Sequence, residues 1–167
     1  MARISFKGAE EYAKALKQLE FTAEQGVMLE DAAKAGGGVV ADEVRRRLEA
    51  LPEDEHRRGK MPAGEVYHGI PPGEKADLLD SLGVTPPGRD RKGFVNVKVG
   101  FDGYGSYKSD AYPDGLPNQL VARAVESGSS VRQKTPFVRP AVNASRKEAV
   151  AAMDDEVRQK MEQIFSK

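Results

Sequence analysis

Two prolines four residues apart, Pro136 and Pro140, stand just before a helical pattern that runs to the C-terminus. Upstream lies Val125-Glu126-Ser127-Gly128-Ser129, then Arg132-Gln133-Lys134-Thr135, then Pro136-Phe137-Val138-Arg139-Pro140-Ala141. A proline fixes φ and pushes the residue before it toward extended geometry. The pair therefore predicts a rigid, extended clip that presents Phe137 and Arg139 and leads into the last helix. Residues 125–129 read as an extended segment that breaks at Gly128, and residues 132–135 as a polar loop. On chemistry alone this is a loop anchored by one core phenylalanine.

Periodicity organises the rest. Ile4 and Phe6 alternate with Arg3, Ser5 and Lys7, which predicts a short half-buried strand ended by Gly8. Residues 9–20 carry Tyr12, Leu16 and Leu19 at helical spacing, with Glu10 and Glu11 in the first turn where they suit the helix dipole. Thr22 is a candidate N-cap for a second helix, with Gln25 as its capping-box partner. That helix has an apolar stripe at Leu29, Ala33, Gly37, Val40, Val44, Leu48 and Leu51, ending before Pro52. Gly36, Gly37 and Gly38 interrupt it, each costing about 1 kcal/mol against alanine in a helix interior. The stripe keeps its phase across them. Close backbone packing or a modest bend is expected in preference to a hinge.

Residues 52–75 are polar, hold both histidines, and read as a long, exposed, flexible loop. Asp77 is a candidate cap for a short helical turn through Leu82. A strand starting at Val84 and a clearer one over residues 94–101 form a hairpin across Pro86-Pro87-Gly88 and Gly93, with Val95, Val97, Val99 and Phe101 on one face. Residues 102–117 hold Tyr104, Tyr107 and Tyr112. Such a loop is either a contact surface or a flap folded onto its own sheet. Residues 120–125 fit a short helix or a strand. Asn143 is a candidate cap for a helix over residues 144–165, with a stripe of Val150, Met153, Val157, Met161 and Ile164.

Composition narrows the function classes. The 167 residues fit one domain, and formal charge balances to zero, which argues against general electrostatic coating of nucleic acid. The chain has no cysteine, hence no thiol nucleophile, disulfide or cysteine metal site. No apolar run approaches the roughly 20 residues that cross a bilayer, and the N-terminus lacks the apolar core of a signal peptide. Basic clusters at residues 45–47, 56–60 and 89–92 alternate with acids and suit a solvated face or a charged subunit contact.

No chemistry of an enzyme is visible. His56 and His68 lie in one loop with only Glu65 near, too few convergent ligands for zinc. Neither Gly36-Gly37-Gly38 nor Gly103-Tyr104-Gly105 follows a phosphate-binding or dinucleotide pattern. No serine sits in a nucleophile elbow. The expectation is no catalytic residue, no cofactor and no metal.

The order of pieces resembles the neck or minor tail-component proteins encoded in the head–tail joining module of long-tailed, lambda-like phages. The resemblance rests on Val125, Glu126, Gly128, Ser129, Pro136, Phe137, Arg139, Pro140 and Ala141. Residues 76–84 match more weakly, with Asp80 where a basic residue is common; in the main stretch Ser127 follows Glu126 where the family has an aromatic. The resemblance implies a strand at the end of residues 120–125, and a ring-forming virion protein acting in tail completion or head–tail joining. It implies self-association, with six-fold symmetry favoured, contact with neighbouring connector or tail proteins, DNA in the ring lumen, and assembly in the bacterial host cytoplasm. The expected fold is α+β: a small antiparallel sheet from segments near Ile4, Val84, Val97 and Val125, packed by helices. The expected assembly residues are Glu126, Gly128, Pro136, Phe137, Arg139 and Pro140, with Glu126 and Arg139 paired across the loop or each with a neighbouring subunit. The competing reading is a nucleic-acid-binding module in which Arg45, Arg46, Arg47, Arg89, Arg91 and Lys92 merge into one patch.

Overall fold

The computed structural model describes residues 23–54, 64–66 and 68–166. The expected strand near Ile4, the helix over residues 9–20, the Thr22 cap and His56 lie outside the described residues. Within them the fold is α+β, with four helices and small antiparallel strand pairs. In chain order the elements are α1 (Ala23–Glu49), α2 (Pro72–Ser81), β1 (Leu82–Val84), β2 (Gly88–Arg89), β3 (Val95–Asn96), β4 (Val99–Phe101), α3 (Asn118–Ser127) and α4 (Val138–Phe165).

The strands form one irregular hairpin. β1 pairs antiparallel with β4, Leu82 opposite Phe101 and Val84 opposite Val99, and β2 pairs with β3 further out. The predicted face holds: Phe101 is buried and Val95, Val97 and Val99 are half-buried, while Lys98 and Gly100 face out. Gly83 and Gly100 oppose each other on the outward face, which is therefore bare of side chains there.

α1 and α4, each about 40 Å long at 1.5 Å per residue, lie antiparallel. Asp31 meets Lys160 at 3.2 Å, and Gly36 lies under the Met153 side chain. Small residues make this close approach possible. Ala33, Gly36, Gly37 and Ala41 of α1 are buried, as are Ala141, Ser145 and Ala149 of α4. A Cβ on Gly36 would stand 2.6 Å from Met153 Cγ, and one on Gly37 would stand 2.8 Å from Val97 Cγ2 and 3.0 Å from Val84 Cγ1. Gly38 meets nothing within 4 Å. Two of the three glycines thus serve close packing, one toward α4 and one toward the hairpin.

The core gathers at one end of this helix pair. It comprises Val44 and Leu48 of α1, Ile70, Leu78, Leu82, Phe101, Val121, Ala122 and Val125 of α3, Phe137 and Ala141. Several expected positions shift. Leu29 is exposed and Met28 is buried in its place, and Val150 is 51% exposed while Ala149 takes the buried position. In both helices a small or flexible residue occupies the contact, and a reading that ranks residues by size selects its neighbour instead. The segment near Val125 is helical, not a strand of the sheet. α3 presents Val121, Ala122 and Val125 on one buried face, at 3.6-residue spacing, and packs against α2 and β4.

The 52–75 segment is not a loop throughout. Ile70 N–H donates to the Pro52 carbonyl at 3.0 Å and Asp54 N–H to the Ile70 carbonyl at 3.1 Å. Ile70 is fully buried and α2 starts at Pro72, not at Asp77. Proline fits the first helical turn because its missing N–H has no partner there anyway. Lys75 closes the base of the segment, its Nζ donating to the Leu51 carbonyl and to Glu53, each at 3.0 Å. Arg45 reaches across from α1 to the Leu79 carbonyl at 3.0 Å, satisfying an orphan acceptor at the C-terminal end of α2.

Candidate assembly surface

The clip of the sequence is a helix–turn–helix connection whose joint is one carboxylate. α3 ends at Ser127, and Gly128 adopts φ 79°, where a side chain would be strained. The chain doubles back through a tight turn from Ser129 to Arg132, and Thr135 N–H donates to the Val125 carbonyl at 2.9 Å. α4 then starts at Val138, inside the predicted clip and before Pro140. Its N-cap position is Phe137, whose side chain cannot cap. Glu126 does so from the preceding helix. Its Oε2 accepts the N–H groups of Phe137 at 2.7 Å and Val138 at 2.8 Å, and its Oε1 accepts that of Arg139 at 3.1 Å. Pro140 has no N–H, and Ala141 N–H donates to the Phe137 carbonyl at 3.1 Å. Every donor of the first turn is thereby accounted for. A carboxylate at this end also opposes the positive pole of the helix dipole.

This corrects the expected ion pair. Arg139 meets Glu126 through its backbone N–H, not its guanidinium, and the Arg139 side chain is exposed. Phe137, 1% exposed, packs its ring 6.0 Å from that of Phe101, joining the start of α4 to the hairpin. Pro136 is exposed and Pro140 half-buried.

Sequence reasoning missed a buried ion pair. Arg132 Nη2 donates to Glu74 Oε2 at 2.7 Å, with side chains 4% and 8% exposed. Glu74 sits in the first turn of α2, so the pair ties that helix to the turn between α3 and α4. The available signal was a lone acid directly after Pro71-Pro72-Gly73, a helix-start pattern. His68 joins the same region, its Nδ1 hydrogen-bonded to Gln133 Oε1.

The tyrosine loop folds onto itself and points its rings outward. Ser109 and Tyr112 exchange backbone hydrogen bonds, Gly105 N–H donates to the Leu116 carbonyl, and Asp77 accepts the N–H and hydroxyl of Ser106. Asp77 is therefore a loop anchor rather than a helix cap. Tyr104, Tyr107 and Tyr112 remain 64%, 45% and 39% exposed.

Between the hairpin and α3 runs a groove of about 770 Å³. Its floor is the outward face of β1 and β4 at Gly83 and Gly100, and its wall is Gln119, Arg123 and Glu126 of α3. Lys98 and Arg123 put positive charge on its rim.

The basic clusters at residues 45–47 and 89–92 do not merge. Arg46 and Arg47 both bind Glu43, at 2.6–2.7 Å, and Arg89 lies near Glu30. Position 46 and position 30 are about 24 Å apart along α1. Hydrogen bonds from Arg46 and then from Arg47 hold the Glu43 carboxyl down at about 2. Among the described residues no cluster of three metal-ligating side chains occurs, and no helix is long and apolar enough to cross a membrane.

Comparison with family models, curated proteins and solved structures finds no match to this chain.

Proposed function

We propose that this chain is a structural virion protein of the phage head–tail junction, a ring-forming tail-completion or neck component that acts by assembly and not by catalysis. The observation that carries the reading is the joint itself. The residues behind the resemblance are not scattered: Glu126, Phe137, Arg139 and Pro140 build one helix start, sealed by a three-fold backbone cap and a buried aromatic. A rigid joint of this kind holds the groove wall and the adjacent hairpin in fixed relation. An assembly subunit needs that, because ring closure tolerates little angular error between copies. Exposed tyrosines on a self-bonded loop supply contact area at low entropic cost.

The partners in this reading are further copies of the chain, six favoured, and neighbouring connector or tail proteins, with DNA passing through the lumen. A nucleic-acid-binding module is the weaker reading, because Arg46 and Arg47 are engaged by Glu43, Arg45 by the Leu79 carbonyl, and Arg89 lies beside Glu30, about 24 Å away along α1.

Light scattering of the purified chain across a concentration series tests the proposal. The expected result is a concentration-dependent closed oligomer that Tyr104→Ala with Tyr112→Ala weakens without lowering Tm. A strict monomer at all concentrations that binds duplex DNA, and loses it as salt rises, favours the weaker reading.

A further inference from the structure

Opposite ends of the strand hairpin carry opposite charge. At one end, the turn between β2 and β3 holds Arg89, Arg91 and Lys92 against a single acid, Asp90. At the other end, the loop from β4 to α3 holds Asp102, Asp110 and Asp114 against a single lysine, Lys108. Residues 95–101 hold the two ends about 20 Å apart, at about 3.3 Å per residue. α1 gives a similar spacing. Arg89 lies beside Glu30, whereas the loop is anchored on Asp77 of α2, the helix that Arg45 reaches. Positions 30 and 45 are about 22 Å apart along α1.

Each end is held in shape by its own hydrogen bonds and presents aromatic surface. Asp90 Oδ1 accepts the N–H groups of Lys92 at 2.8 Å and Phe94 at 2.9 Å, and Gly93 turns the chain at φ 85°. This turn leaves Phe94 67% exposed. The exposed side chains of Arg91 and Lys92 have no ion-pair partner among the described residues. In the loop, whose backbone is closed by the Ser109–Tyr112 hydrogen bonds, Tyr104 and Tyr112 are exposed. Asp110 and Asp114 are exposed too, and also lack an ion-pair partner among the described residues.

The two ends complement each other in charge and in apolar surface. A cation packs favourably over a tyrosine ring, and burial of Phe94 against other aromatics favours association. Complementary patches at two different places on one molecule make a head-to-tail contact, which generates a ring when its rotation closes.

We propose that the basic turn of one copy seats on the tyrosine–aspartate loop of the next, with Arg91 and Lys92 facing Asp110 and Asp114, and Phe94 packing against the exposed tyrosines. This inference rests on the assembly reading and names the two surfaces that meet.

Charge reversal at each end, read by light scattering across a concentration series, tests it. Arg91→Glu with Lys92→Glu, and separately Asp110→Lys with Asp114→Lys, make the contact repulsive. Each pair is expected to raise the dissociation constant of the oligomer by about tenfold or more. These side chains are exposed, so Tm should not move. The chain that carries all four changes restores opposite charge at every contact and is expected to assemble as the wild type does. Single-end variants that assemble normally, or a folded four-fold variant that stays dissociated, would overturn the inference and leave the assembly reading standing. A wild-type chain that is monomeric at every concentration would overturn both.

Discussion

At the scale of single residues, Glu126 and Phe137 do different work at one joint. Glu126 satisfies three backbone donors at a helix start, and hydrogen bonds to a charged group contribute about 1.5–3 kcal/mol. Glu126→Ala is expected to lower stability by about 2 kcal/mol. Arg139→Gln, whose side chain is exposed, should stay within about 0.5 kcal/mol. Urea denaturation of both variants checks this, and a large loss in the arginine variant would restore the side-chain ion pair. Phe137→Ala empties a site that is 1% exposed and should cost about 3–5 kcal/mol. Glu43 gives a pH signature. Its pKa is lowered from 4.5 to about 2 in the folded chain, so its contribution is present above pH 4.5 and is lost as pH falls toward 2. Carbon-13 NMR of the Glu43 carboxyl should show titration near pH 2, and Glu43→Gln should remove that part of the acid dependence of stability.

At the scale of elements, the glycine run in α1 separates two effects that look alike in sequence. Gly38→Ala meets nothing and should raise stability by about 0.5–1 kcal/mol through helix propensity alone. Gly37→Ala pushes into Val97 and Val84, two stiff β-branched side chains, and should lower it by about 1–3 kcal/mol. Thermal melts of the two variants should therefore move in opposite directions. Helix existence in α1 and α4 was legible because their patterns are long. The start of α4 was not, because a proline pair reads as a clip until the first turn is seen to lose nothing by it: Pro140 lacks the very N–H that Glu126 would otherwise have had to satisfy. α3 was ambiguous because a run as short as residues 120–125 satisfies helix and strand templates alike.

At the scale of the whole molecule, the Glu74–Arg132 pair links α2 to the turn between α3 and α4. Breaking a buried pair strands one charge, so Glu74→Gln or Arg132→Met alone should cost about 3–5 kcal/mol, and Glu74→Leu with Arg132→Met should recover much of that loss. A double-mutant cycle in urea checks it, and additive losses would show that the two side chains act separately.

The amino-acid order by itself determined the α+β class, the two long helices, the hairpin with its inward valines, and the burial of Phe137. These follow from short-range rules, in which periodicity and proline geometry act within a few residues. The α1 stripe was also legible, Ala33, Gly37, Val44 and Leu48 being buried as the spacing predicts, but the tertiary structure alone decided which face of α4 is buried, because its contact with α1 selects Ala141, Ser145 and Ala149, which carry little hydrophobic signal. It also decided the partners of Glu126, Glu74 and Asp77. A carboxylate can accept hydrogen bonds wherever the fold brings donors to it, and residues 11 to 58 positions apart in sequence meet only after the chain has packed.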